Sequence, residues 1–224
     1  MLCGCHPPGK PGPGPEVGRP DQLLDFKPLY AQNCAACHGA DGRNGAALSL
    51  ANPVYLATAG EANIRNVISK GVDGTSMPPF SRPAGGMLTD QQINVLTTGM
   101  LKAWGNTAVL GNTQPLPYAA TSQGDPTRGA AAFRTYCAQC HGADGTGARV
   151  RGTPVGSIVD PAYLALISNQ GLRSIVLAGI PGQGMPDWRS DAGQAMTDQQ
   201  ITDIVAWLAS HRTNAPGQPY PDHQ

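Results

Sequence analysis

Two pentapeptides concentrate the residues with reactive side chains, Cys34-Ala35-Ala36-Cys37-His38 and Cys137-Ala138-Gln139-Cys140-His141. Their spacing sets two thiols one helical turn apart, where they can reach the two vinyl groups of a haem while the next imidazole turns toward its iron. A four-cysteine zinc site or a thioredoxin-like redox pair uses similar spacing. Zinc ribbons usually set their pairs far closer together, redox pairs need a strand-helix context, and neither needs a histidine directly after both pairs. Covalent attachment of two haem c groups through Cys34, Cys37, Cys137 and Cys140, with His38 and His141 on iron, is therefore the expectation.

Iron in such a site takes a second axial ligand, and a methionine thioether there raises the reduction potential. Met77 and Met185 occupy equivalent places, each in a Gly- and Pro-containing loop and each followed by a proline that stiffens it. They are the expected ligands. Met196 and Leu88 immediately precede helix caps and can staple to Ile201 and Ile93, and Met100 falls on a helix face, so these read as core. Met87 is the reserve ligand for the first half.

The elements that must position these groups are written twice. Cys37 to Gly42 recurs letter for letter at Cys140 to Gly145, an offset of 103, and Thr89 to Ile93 recurs at Thr197 to Ile201, an offset of 108. Pro53-Val54-Tyr55-Leu56 against Pro161-Ala162-Tyr163-Leu164 already stands at 108, so five residues are inserted after the second cysteine motif. Ordered matches at nearly one offset mean duplicated domains. Helical segments are expected at Pro28 to Cys34 and Thr127 to Cys137, running into the cysteine pairs. Thr89 and Thr197 each cap a helix, with Gln92 and Gln200 closing capping boxes, and Ile201, Ile204, Val205 and Leu208 form one core-facing stripe. A shorter helix is expected at Ala62 to Lys70, with a counterpart around Leu172 to Leu177. No strand alternation stands out.

In this order of helix, CxxCH, Gly-rich loop, Met-Pro loop and closing helix, each half resembles a class I cytochrome c domain, over about 24–104 and 125–211. The resemblance implies an all-α fold, two tandem cytochrome c-like domains of a few helices around a covalently attached haem whose edge exchanges electrons. Domain boundaries are expected at 24–104 and 125–212, joined by a linker at 105–124 and flanked by a tether at 1–23 and a tail at 213–224. Members of this family often place a proline after the Gly-rich loop whose carbonyl accepts the Nδ1 proton of the axial histidine. Pro154 is the candidate in the second half; the acceptor in the first is open. The family also pairs a glycine eight residues before the first haem cysteine with an aromatic of the closing helix. Gly129 and Trp207 follow this, whereas the aligned Phe26 and Gly99 exchange large for small, so Phe26 is expected near Gly99; were the two far apart, Trp104 would be the substitute filler. Phe80 and Trp188 are expected beside haem, and none of Arg43, Arg65, Arg149, Arg151 and Arg173 is assigned to a propionate.

Composition is consistent with a fold that leans on a cofactor. Hydrophobic residues are 40% and aromatics 5% of 224 residues, and 29 Gly with 21 Pro make about a fifth of the chain. Such loop-rich domains are marginal without extra apolar mass to pack on. A formal net charge of zero removes any long-range attraction to nucleic acid, and no run of about 18 apolar residues occurs to span a bilayer as a helix. Leu2-Cys3-Gly4-Cys5 reads like the end of a bacterial lipoprotein signal with Cys5 as the lipidation site, while a CxCH haem site or plain reactive thiols are the alternatives. Haem attachment of this kind takes place outside the cytoplasm, so an export signal and a place on the periplasmic side of a bacterial membrane are expected. The function this implies is electron transfer, by a membrane-tethered carrier or a cytochrome subunit of a respiratory or photosynthetic chain, to redox protein partners or a membrane complex, with no catalytic residue. The alternative is a dihaem enzyme such as a peroxidase with one open haem site.

Overall fold

A computed structural model describes residues 18–189 and 194–213. The expectations for Cys5, the tether and most of the tail lie outside these residues. In the first half the chain forms α1 (Phe26–Asn33), α2 (Ala35–His38), α3 (Pro53–Lys70) and α4 (Asp90–Trp104). The second half repeats them as α5 (Pro126–Tyr136), α6 (Ala138–His141), α7 (Pro161–Leu166), α8 (Asn169–Ala178) and α9 (Asp198–Ala209), with a hairpin of β1 (Ala148–Val150) and β2 (Thr153–Val155).

α1 starts two residues before the expected Pro28. Asp25 caps it by accepting from the Lys27 amide at 3.2 Å, and Pro28 takes the third position, where an amide would have no partner within the helix. α3 begins at Asn52-Pro53, a cap followed by proline at the first helical position, and breaks at Gly60 (φ 68°, ψ 165°). In the second half the same stretch is two helices, α7 and α8, opened by Asp160-Pro161. The expected short helices are the second parts of these stretches. Their first parts were not expected, although the Asn52-Pro53 and Asp160-Pro161 pairs are the signal that marks them.

Both capping boxes form: the Thr89 and Thr197 hydroxyls accept from the Gln92 and Gln200 amides at 3.1 and 3.2 Å. Ile93, Leu96 and Met100 of α4, and Ile201, Ile204, Val205 and Leu208 of α9, are buried, as are the stapling Leu88 and Met196. The hairpin corrects the reading without strands. It pairs Ala148 with Val155 and Val150 with Thr153 around Arg151 and Gly152, both at positive φ as a two-residue turn requires. It lies within the stretch after the second cysteine motif that carries the five extra residues.

Two apolar cores result, one for each half. The linker is packed between them rather than free: Leu110 is buried in the first core and Leu116 packs on the second. Buried Arg173 donates to the carbonyls of Pro117 and Tyr118 at 2.7 and 3.0 Å, to Thr202 Oγ1, and to the Asp198 carboxylate. Arg173 is thus a clamp on the linker, not a solvated surface charge.

Candidate haem sites

Each CxxCH motif occupies the junction between a long helix and a single further turn. Cys34 leaves α1 with φ −123° and ψ −35°, and its carbonyl then accepts from Cys37 N at 3.2 Å and His38 N at 3.0 Å. Cys137 repeats this with φ −119° and ψ −31°, accepting from Cys140 N at 3.1 Å and His141 N at 3.0 Å. The turn ends at Gly39 (φ 83°) and Gly142 (φ 79°), where a Cβ would strike the Arg43 and Gly147 carbonyls. In the first half the Tyr30 hydroxyl, buried and pushed up to about 12, pins the turn by donating to Gly39 O at 2.8 Å.

Burial, then the neighbouring thiol, pushes Cys34 up to about 11 and Cys137 up to about 12. A disulfide-exchanging pair needs the opposite, a thiol lowered toward neutrality. Among the described residues no three His, Cys, Asp or Glu side chains gather as a metal cluster, so the two pairs do not converge on one zinc site. Burial also lowers both His38 and His141, which keeps the imidazoles neutral at pH 7. The Leu48 carbonyl lies 2.7 Å from His38 Nδ1. A carbonyl only accepts, so Nδ1 carries the proton and Nε2 keeps its lone pair for a metal.

The acceptor left open in the first half is therefore Leu48. The expected Pro154 does not serve the second half: it lies in β2 opposite Arg149, and His141 Nδ1 is buried with no partner among the described residues. Trp188 Nε1 and Thr58 Oγ1 are likewise buried and unpartnered. Neutral imidazoles, paired thiols one turn apart and buried polar atoms without partners fit a large apolar cofactor with a polar edge.

Both Met-Pro loops are moored to the end of the preceding helix. Val72 N donates to Met77 O at 3.0 Å, and Ile180 N to Met185 O at 2.9 Å. Gly71 (φ 70°) and Gly179 (φ 64°) let the loops approach: a Cβ at either would stand 2.6 Å from Met77 O or Met185 O. Both methionines are half-buried, while Met87 is 82% exposed. Phe80 packs on the core that Cys34 touches, and Trp188 lies in the core that Cys137 touches.

The helix crossing behaves as the size argument requires. A Cβ on Gly99 would overlap the Phe26 ring, and a Cβ on Gly129 would stand 2.8 Å from Trp207 Cβ. Trp104, five positions beyond Gly99, brings its ring to within 2.8 Å of a Cβ placed on Gly42, and the Trp207 ring stands 3.2 Å from one on Gly145. Both tryptophans thus fill the same space beside the Gly-rich loop from different helix positions.

Two helical units in tandem, each with this motif, loop and closing helix, define a dihaem c-type cytochrome. The family described as cytochrome c oxidase, cbb3-type, subunit III matches residues 21–98 and 124–208, and the chain belongs to it. The chain is 29% identical over 153 residues to the cbb3-type cytochrome c oxidase subunit CcoP of Azospirillum sp. (strain B510), a stretch covering 61% of this chain and 47% of that protein. It thus spans about half the length of the curated relative it matches. Among solved structures it is similar to the reducing HAO-like protein complex of Kuenenia stuttgartiensis, with 19% identity, 84% of this chain and 96% of that chain covered, and a TM-score of 0.45. It is also similar to the thiosulfate dehydrogenase TsdBA from Marichromatium purpuratum, with 23% identity, coverages of 79% and 40%, and a TM-score of 0.32.

Proposed function

We propose that the chain transfers electrons through two His/Met-ligated haems, as a cytochrome subunit or tethered carrier serving a respiratory chain, a cbb3-type oxidase being the partner that the family points to. Cys34 and Cys37 would hold one haem, with His38 and Met77 as the residues to ligate its iron; Cys137 and Cys140 would hold the other, with His141 and Met185. The binding units are residues 24–104 and 125–212. When bound, haem supplies a one-electron iron couple, and thioether ligation favours its reduced state.

The observation that carries this reading is the mooring of both Met-Pro loops on a glycine at the helix end, done alike in the two halves. Leu48 fixes the His38 tautomer, the buried turn excludes water from the first thiol of each pair, and the braced loops position a sulfur. A peroxidase needs one iron without a second protein ligand, and two equivalent, similarly moored Met-Pro loops favour a carrier instead.

No helix among the described residues is long and apolar enough to cross a membrane. The chain works on the periplasmic side, where haem is attached, and Cys5 is the proposed point of lipid anchoring. Haem stoichiometry tests the proposal: the purified protein carries two haems that survive acid-acetone extraction, because thioether bonds do not dissociate. One haem, or bound zinc, contradicts it.

A further inference from the structure

We infer that Asn52, a residue of the first half, is a positioning residue for the Met185 loop of the second half. Its side chain is buried and makes four hydrogen bonds. Oδ1 accepts from Val54 N at 2.9 Å and Tyr55 N at 3.2 Å, capping α3, while Nδ2 donates to Ala178 O at 3.0 Å and Gly179 O at 3.1 Å, at the end of α8. With amides on one side and carbonyls on the other, only one orientation of the carboxamide satisfies every partner.

The carbonyls that Asn52 holds belong to the segment against which the Met185 loop is built. Gly179 faces the loop so closely that a Cβ there would stand 2.6 Å from Met185 O and 2.5 Å from Pro186 O. The next residue, Ile180, exchanges both backbone hydrogen bonds with Met185, at 2.9 and 3.2 Å. A displacement of the α8 terminus therefore moves the backbone that carries the sulfur. Ala178 is itself buried in the first core, so the latch is closed from the apolar side as well.

The device runs one way. The position equivalent to Asn52 is Asp160, which caps α7 by accepting from Ala162 N at 2.9 Å and Tyr163 N at 3.0 Å. A carboxylate cannot donate to a carbonyl, and Asp160 makes no bond across the halves among the described residues. The first half thus sets the ligand loop of the second, without the reverse.

This rests on Met185 being an iron ligand, and the test separates the two claims. The full-length, haem-loaded protein is compared with its Asn52→Asp and Asn52→Ser variants, reading the two midpoint potentials and the methyl resonances of the ligated methionines in the reduced state. Met77→Leu and Met185→Leu assign each signal to its half. Aspartate and serine both keep an oxygen to cap α3 but remove the donor amide, and serine adds no charge, so it serves if aspartate prevents folding. The expected result is a shifted methyl resonance and a shifted potential for the Met185 haem, with those of the Met77 haem unchanged. Unchanged Met185 signals in a folded variant, or a shift confined to the Met77 haem, overturn the latch alone. If Met185→Leu removes no methyl signal, the ligand assignment falls and the latch with it.

Discussion

At the scale of single residues, the site is built from groups whose chemistry is fixed by what surrounds them. His38 can offer Nε2 to a metal because its Nδ1–H donates to the Leu48 carbonyl, and any residue offers a carbonyl, which is why its type could not announce the partner. The cysteine pairs and the Met-Pro steps were legible because covalent attachment and loop stiffness demand particular side chains at particular spacings. Gly71 and Gly179 give a direct prediction. Alanine there must hold a positive φ and place its Cβ on loop backbone, so Gly71→Ala and Gly179→Ala each cost about 1–3 kcal/mol of local stability. Each should also weaken the methionine-to-iron charge-transfer band of its own half only, read in near-infrared spectra of the oxidised protein. Equal loss in both halves would mean global damage instead.

Helices carry these residues, and their crossings show how duplicated elements diverge. In the first half Phe26 lies over Gly99, and in the second Trp207 lies over Gly129. Phe26→Ala should cost about 2 kcal/mol through lost packing, and Gly99→Ala a similar amount through overlap with the ring. The double variant should cost clearly less than the two together, since removing the ring makes room for the methyl, and a double-mutant cycle by thermal unfolding measures this. Strict additivity would show that the two sites do not share that space.

The second crossing adds a charge that the first lacks. Buried Asp203 of α9 accepts from Arg128 Nε at 2.8 Å and Nη2 at 2.9 Å, and from Asp125 N at 2.8 Å, where the first half has Val95. Burial works against the carboxylate, but the bonds from Arg128, Asp125 N and Gln199 outweigh it and hold Asp203 below the usual range. The unfolded chain therefore takes up this proton first. The contribution of the pair is complete above about pH 4 and is lost as the pH falls through the lowered folded value. Unfolding followed at separate pH values should show the second half losing stability below about pH 4, and Asp203→Asn should reduce that dependence by the share of this carboxylate, leaving that of Asp187 and Asp144. A variant with the wild-type acid profile would contradict the assignment. The threonine caps of α4 and α9 were legible because a capping box is local. The hairpin was not, because three-residue strands are too short to alternate, and Arg173 had no assignment because its partners include backbone carbonyls of a distant segment.

The whole molecule is two haem units held together by contacts that no local pattern announces. Duplication was plain from the repeated motifs, and the all-α cytochrome architecture followed from it. The packing of the linker, with Leu110 in one core, Leu116 on the other and Arg189 donating to Val109 O at 2.9 Å, was not, because a Gly- and Pro-rich segment reads as loose whether or not it is gripped. The packed linker and the Asn52 bridge join the two halves through buried contacts. The proposed activity depends on both irons being closed to substrate, and binding of carbon monoxide to the reduced protein, with near-infrared spectra of the oxidised form, tests that most directly. Two low-spin irons, a methionine-to-iron band from each half and little carbon monoxide binding are the predicted result; rapid, tight binding at one haem, with peroxide turnover and no methionine band from that half, would contradict it.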